Sequence, residues 1–369
     1  MASKTASKLF IAVVTIGVMY ILQGVLVPLL FAILTSIVLY PLTARLEKLK
    51  IPRALASIIS VVFSIVVLAG LIWFIVNQVI VIGKVDYQFQ EKYTQAINAL
   101  EKFFLNQFGL EPTDMWDWLK KESQNMISSA TSYLTSFFGS AGSTLANFVL
   151  MPLYIYFILY FRDFFVEFFY RAFDHIESDK VHRVLVRIYY VIQSYIVGLV
   201  TVMAIVAVLN TLGLLILGIE YAWFFGILAA LLLLIPYIGI AIGSILPALF
   251  ALATMDNGWY ALGVIIWFQI VQFFEGNFIT PNIVGGKVSI NPMAAIISLL
   301  LGGMLFGLMG LILALPLVAV IKVVFDASED WQAIGFVLGE PSDHHLSKVR
   351  KSKRRRKWTI PGIYRNREK

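Results

Sequence analysis

The 369-residue chain is 59% hydrophobic and only 14% charged, and its mean hydropathy is +0.83. So little charge cannot cover the surface of a soluble protein of this length. Repeated apolar runs match the roughly 20 residues that span a bilayer as helix, and the ~10-residue alternating segments of a porin-type barrel are not evident. The net charge of +7 belongs to the tail: residues 341–369 hold eleven Lys/Arg against Asp343 and Glu368, which leaves the rest of the chain at −2. The absence of cysteine excludes disulfides, thiolate metal sites and a cysteine nucleophile. The composition predicts an all-α polytopic membrane protein.

In chain order, Lys4 and Lys8 precede an apolar run with no small-residue cleavage pattern, so an uncleaved first span is expected. Leu9 to Leu42 is too long for one ordinary span. Gln23-Gly24 and Pro28 divide it into two close helices. A basic loop with Arg45, Lys48, Lys50 and Arg53 follows, and Leu55 to Val76 is a third span, closing an N-terminal unit over 1–76. Residues 77–143 differ in kind. They are mixed in charge, with Gly109 and Pro112 between two amphipathic helices, about 84–108 and 114–138, and Trp116 and Trp118 suited to an interface. This is expected to be a small extracytoplasmic helical insertion.

Thr144 to Phe161 returns through the membrane, 162–187 reads as an aromatic, charged helix at the interface, and Ile188 to Leu217 is the next span. Ala222 to Thr254 is interrupted at Pro236-Tyr237-Ile238-Gly239, and Pro292 to Phe325 at Gly302-Gly303 and Gly307. Each is either a re-entrant hairpin or a pair of short spans, giving about eight membrane elements in all. The core thus covers 144–325, and 326–369 reads as a disordered basic tail. Loop Lys/Arg counts place both termini in the cytoplasm.

The candidate site is polar sequence between two very apolar stretches. Gln269, Gln272 and Glu275 step by three residues along one drifting helix face, offering a polar lining and a carboxylate for a cation or proton. Asn277, Pro281 and Gly285 then break the helix, freeing carbonyls and amides that could meet an ion or polar solute, as discontinuous transporter helices do. An ordinary loop holding Lys287 is the plainer alternative. Pro236 and Gly239 form the matching break upstream. The spacings Gly239-x3-Gly243 and Gly303-x3-Gly307 permit close helix packing. No phosphate-binding loop, HExxH or GxSxG motif is present, so transport would be gradient-driven or passive, without cofactor or metal. Lys351 to Lys357 is expected to touch anionic lipid rather than nucleic acid.

Glu275-Gly276-Asn277-x3-Pro281-x3-Gly285, followed by Asn291-Pro292 and a Gly-rich final helix ending at Leu315-Pro316-Leu317, resembles the autoinducer-2 exporter family, as does Pro236-Tyr237-Ile238-Gly239. The resemblance covers about residues 9–325. It implies a homo-oligomeric permease of the bacterial inner membrane that exports a small polar solute such as a signalling molecule. Such export could be coupled to protons or sodium; cation/proton antiport and a passive oligomeric channel stand as alternatives. A scaffold or sensor acting through 77–143 is a further one. Where many relatives of that family carry a basic residue after the motif proline, this chain has Asn282.

Overall fold

The computed structural model describes residues 14, 17–83, 141–235, 238–255, 257–285 and 290–340. The insertion expected over 77–143 and the basic residues after 340 fall almost wholly outside the described residues, as do Pro236 and Tyr237. Among the described residues ten α-helices follow in order: α1 (Gln23–Lys48), α2 (Arg53–Gly83), α3 (Ala141–Tyr160), α4 (Arg162–Ala172), α5 (Ser178–Ile216), α6 (Ala222–Leu232), α7 (Ile238–Thr254), α8 (Trp259–Phe274), α9 (Pro292–Ala327) and α10 (Gln332–Leu338). Two π-helical turns, Glu275–Ile279 and Pro281–Gly285, lie between α8 and α9. The described residues contain no strand, only an isolated bridge between Ile290 and Gly339. Among the described residues five helical stretches are long and apolar enough to cross a bilayer, with three shorter apolar helices. The protein is an all-α, multi-pass membrane protein.

α5 is the spine. Its 39 residues rise about 58 Å, well beyond a hydrocarbon core of about 30 Å. α1, α6, α8, α9 and the second π turn all pack on it. The largest buried cluster gathers Leu214 near its C-terminal end and Ile219 just past it with Phe224, Phe225, Phe250, Val264 and Phe268. A second seam joins α1, α2 and α3 through small residues: Thr43 donates to Ser60 at 2.8 Å, and Ser36 reaches the Ile155 carbonyl at 3.5 Å. Small side chains let these backbones approach where lipid supplies no hydrophobic drive.

Both interrupted stretches double back. A Cβ on Gly239 would lie 1.7 Å from the Leu232 carbonyl oxygen, and one on Gly243 would lie 3.1 Å from Ala229 Cβ. α6 and α7 are therefore antiparallel arms with touching backbones. α6 rises only about 16 Å over its 11 residues, too short to cross. The long α9 is likewise two arms. Residues eight apart in a straight helix are about 12 Å apart along the axis, yet a Cβ on Gly310 would sit 1.8 Å from the Gly302 carbonyl oxygen. The reversal falls at Gly307, whose φ of 60° and ψ of −141° suit only glycine.

At one end of the bundle, Arg162 at the start of α4 grips Glu47 of α1 with two hydrogen bonds, Nη1 to Oε1 at 2.8 Å and Nη2 to Oε2 at 2.6 Å. These bonds hold the Arg162 guanidinium above its ordinary pKa. Arg53 reaches Asp163 at 2.8 Å, and the Arg162 guanidinium also lies over the Tyr40 ring. The chain turns of α1–α2 and α3–α4 are thereby tied together.

Residues 326–340, grouped with the tail in the sequence reading, are structured. Trp331 stacks on Phe325 with ring centroids 5.5 Å apart. α10 folds back onto α9, where Gly335 leaves room for Asp326. The signal was a short apolar pattern hidden beside a strongly basic run.

Candidate functional site

α8 ends where its hydrogen-bond ladder is forced wider. Pro281 has no N–H to give, and its ring crowds the carbonyl of Asn277, four residues back. Two successive π turns absorb the mismatch, and such turns are rare and concentrate at functional sites. In the wider turn the Thr280 amide reaches the Glu275 carbonyl, five residues earlier. The side chains of Asn277 and Asn282 reach back four residues instead, donating to the carbonyls of Phe273 at 2.8 Å and Phe278 at 2.7 Å. Asparagine amides thus occupy carbonyls that the broken ladder leaves under-used.

Glu275 sits half-buried at the junction of α8 and the first π turn. Its Oε2 accepts from Gln272 Nε2 at 2.6 Å, and its Oε1 accepts from Thr280 Oγ1. An ionised carboxylate has about four lone-pair sites, so these two bonds leave capacity for a cation or a proton. Thr280 went unnoticed in the sequence, because its five-residue spacing from Glu275 belongs to a π turn and not to an α-helix.

The structure brings Gln272 and Glu275 together but leaves Gln269 apart. Three-residue steps lag a full helical turn by about 60°, so two steps carry Gln269 some 120° from Glu275. It lies instead on the outer face of α8 with Ile265, Ile266, Ile270 and Phe273. Asn277 and Pro281 are exposed. Gly276 and Gly285 are not packing glycines: a Cβ on Gly276 would meet nothing within 4 Å, and one on Gly285 only Pro281 Cβ at 3.9 Å. Upstream, Gly239 serves the close contact of α6 with α7.

The second π turn is seated on the spine. A Cβ on Gly198 would lie 3.1 Å from Val284 Cγ2 and 3.3 Å from the Ile283 carbonyl oxygen, so this glycine admits irregular backbone against α5. Beyond the turn, Asn291 caps α9 by accepting from the Ala294 amide at 2.7 Å, with Pro292 at the first helical position. The same side chain donates to the Val337 carbonyl and to that of Gly339 at 3.3 Å, and the Asn291 amide donates to the Leu338 carbonyl at 2.9 Å. Asn291 therefore ties the far side of the broken segment to α10. Among the described residues no group of three or more His, Cys, Asp or Glu is placed to hold a metal ion.

The fold is thus a polytopic helical bundle with two hairpins and a π-helical break that carries a carboxylate. The family model described as AI-2E family transporter matches residues 9–330, and the chain belongs to that family. It is 27% identical over 311 residues to YueF of Bacillus subtilis (strain 168), covering 81% of this chain and 82% of that one. It is 25% identical over 336 residues to YhhT of Escherichia coli (strain K12), covering 90% and 93%. Both relatives are provisionally designated transport proteins. The AI-2 transport protein TqsA of Escherichia coli (strain K12) is 22% identical over 326 residues, with 86% and 90% covered. The protein is a multi-pass membrane transporter.

Proposed function

We propose that this transporter is a secondary permease of the bacterial inner membrane that exports a small polar solute, a signalling molecule of the kind named for TqsA among them, past the Glu275 break. The observation that carries the reading is the half-buried carboxylate held by Gln272 and Thr280 inside two consecutive π turns. Irregular backbone at membrane depth is tolerated where it is buried in protein or lines a water-filled cavity, and ionisable groups there mark pathways. Glu275 is the group that binds a coupling proton or sodium ion. Asn277, Pro281, Gly276 and Gly285 keep the backbone open beside it. The basic ends at Lys4/Lys8, 45–53 and 348–369 face the cytoplasm. The tail touches anionic lipid, and the functional unit is a homo-oligomer.

The test is flux in proteoliposomes under an imposed proton or sodium gradient. Glu275→Gln keeps the shape and the Thr280 bond but removes the charge. Gradient-driven flux should fall at least tenfold while the protein elutes and melts as before. Unchanged flux would remove Glu275 from the mechanism. The free carboxylate positions also favour a cation/proton antiporter, which would show as sodium-dependent proton release from the same vesicles.

A further inference from the structure

One face of α5 is left open along its whole length. The exposed residues Arg183, Arg187, Tyr190, Val197, Thr201 and Val208 recur at spacings of three, four or seven, so they share one side of the helix. The first of these are basic and the rest, after Tyr190, are apolar or small. Near the basic end the described lining of a groove of about 470 Å³ is His182, Arg183, Val186, Arg187, Tyr190, Val191 and Ser194. Arg183 has no acidic partner among the described residues. Arg187 has only a loose approach to Asp326 at 3.7 Å, because that carboxylate is taken by Lys322 at 2.6 Å.

The depth of this groove is fixed by α4. That helix carries Phe164, Phe165, Phe168 and Phe169 exposed on one side, and Asp163 and Glu167 on the other. Such a helix lies in the plane of the membrane surface with its aromatic side down. Tyr170 of α4 hydrogen-bonds to His182 Nδ1 of α5 at 2.9 Å. His182 and the neighbouring Arg183 are therefore at headgroup level. From Arg183 to Val197 the helix rises about 21 Å, which carries the apolar part of the same face into the hydrocarbon.

The geometry points to this face as a docking site for an anionic phospholipid. The headgroup phosphate sits between Arg183 and Arg187, and the acyl chains lie along Tyr190, Ser194 and Val197. Charge selects the headgroup, and the continuity from basic to apolar surface on one helix selects an amphiphile over a free anion. The site is distinct from the tail and independent of the Glu275 break.

Native mass spectrometry of the full-length protein, released from detergent with defined lipids, tests it. Wild type should retain phosphatidylglycerol in preference to phosphatidylcholine, and millimolar inorganic phosphate should not displace it. Arg183→Gln/Arg187→Gln should weaken retention about 30-fold, the equivalent of about 1 kcal/mol for each arginine. Arg183→Lys/Arg187→Lys should keep most of it, and neutralising Arg354, Arg355 and Arg356 of the tail should leave the groove-bound lipid in place. Should the glutamine variant misfold, a photoactivatable phosphatidylglycerol on wild type supplies the reading, with crosslinks expected within 183–200. Equal retention of both lipids, retention unaffected by the glutamine pair, crosslinks elsewhere, or displacement by phosphate would each overturn the proposal. So would a change of oligomeric state without lipid loss, which would make this face a contact between copies of the chain.

Discussion

Replacing Gly310 by alanine would place a methyl group 1.8 Å from the Gly302 carbonyl oxygen and 2.5 Å from its carbon, both backbone atoms with nowhere to rotate. The arms of α9 would have to part by about 1.6 Å to restore ordinary contact, and overpacking of this kind costs about 1–3 kcal/mol, here at the upper end. Gly303 is the internal control: its Cβ would meet the Leu311 Cδ2 at 3.0 Å, the far end of a flexible side chain that can move. Gly307→Ala probes the same hairpin differently. It adds no contact within 4 Å but asks alanine to adopt φ 60° with ψ −141°, a strain of about 1–3 kcal/mol. Measured by thermal unfolding in detergent, Gly310→Ala and Gly307→Ala should each lower the midpoint by roughly 5 °C, while Gly303→Ala shifts it by less than about 1 °C. A Gly310→Ala protein as stable as Gly303→Ala would refute the doubled-back arms, and α9 would then be one continuous span.

Other substitutions probe the ties between elements. Arg162→Ala strips both hydrogen bonds from Glu47, whose side chain is only 22% exposed, and should cost about 2 kcal/mol in thermal unfolding. Arg162→Lys, which cannot make the paired contact, should recover about half of that or less. Asn291→Ala removes the cap of α9 together with the hold on α10; a loss of about 1 kcal/mol and faster proteolysis near Trp331 are expected. Pro281→Ala restores an amide for the Asn277 carbonyl. Flux should fall while thermal stability holds or rises, as the second π turn relaxes toward α-helix.

The broad architecture was legible because the bilayer leaves so few choices. A run such as Leu55 to Val76 has to be a spanning helix, and Pro236 and Gly307 mark breaks wherever they fall in such a run. Whether each break turned the chain back was not legible. That depends on Gly239 meeting Leu232 and Gly302 meeting Gly310, contacts that spacing alone does not specify. The polar stripe of α8 was read with an α-helical ruler, which rightly joined Gln272 to Glu275 but also enlisted Gln269 on the outer face. The same ruler hid Thr280, since Pro281 changes the period where the site begins. Asn291 was visible as part of Asn-Pro, a helix-start pair; its hold on α10 required the fold.

The central claim is that the π-helical break borders a route through the membrane, and the absence of cysteine from the chain allows a direct test. A cysteine at Gly276 has free space around it and leaves the Glu275 bonds intact. In sealed vesicles of known orientation, a charged, membrane-impermeant thiol reagent should modify that cysteine when added from either side, and a cysteine at Ile266 should remain unreactive. Modification from one side only would contradict the account and make Glu275 a marker of the membrane edge.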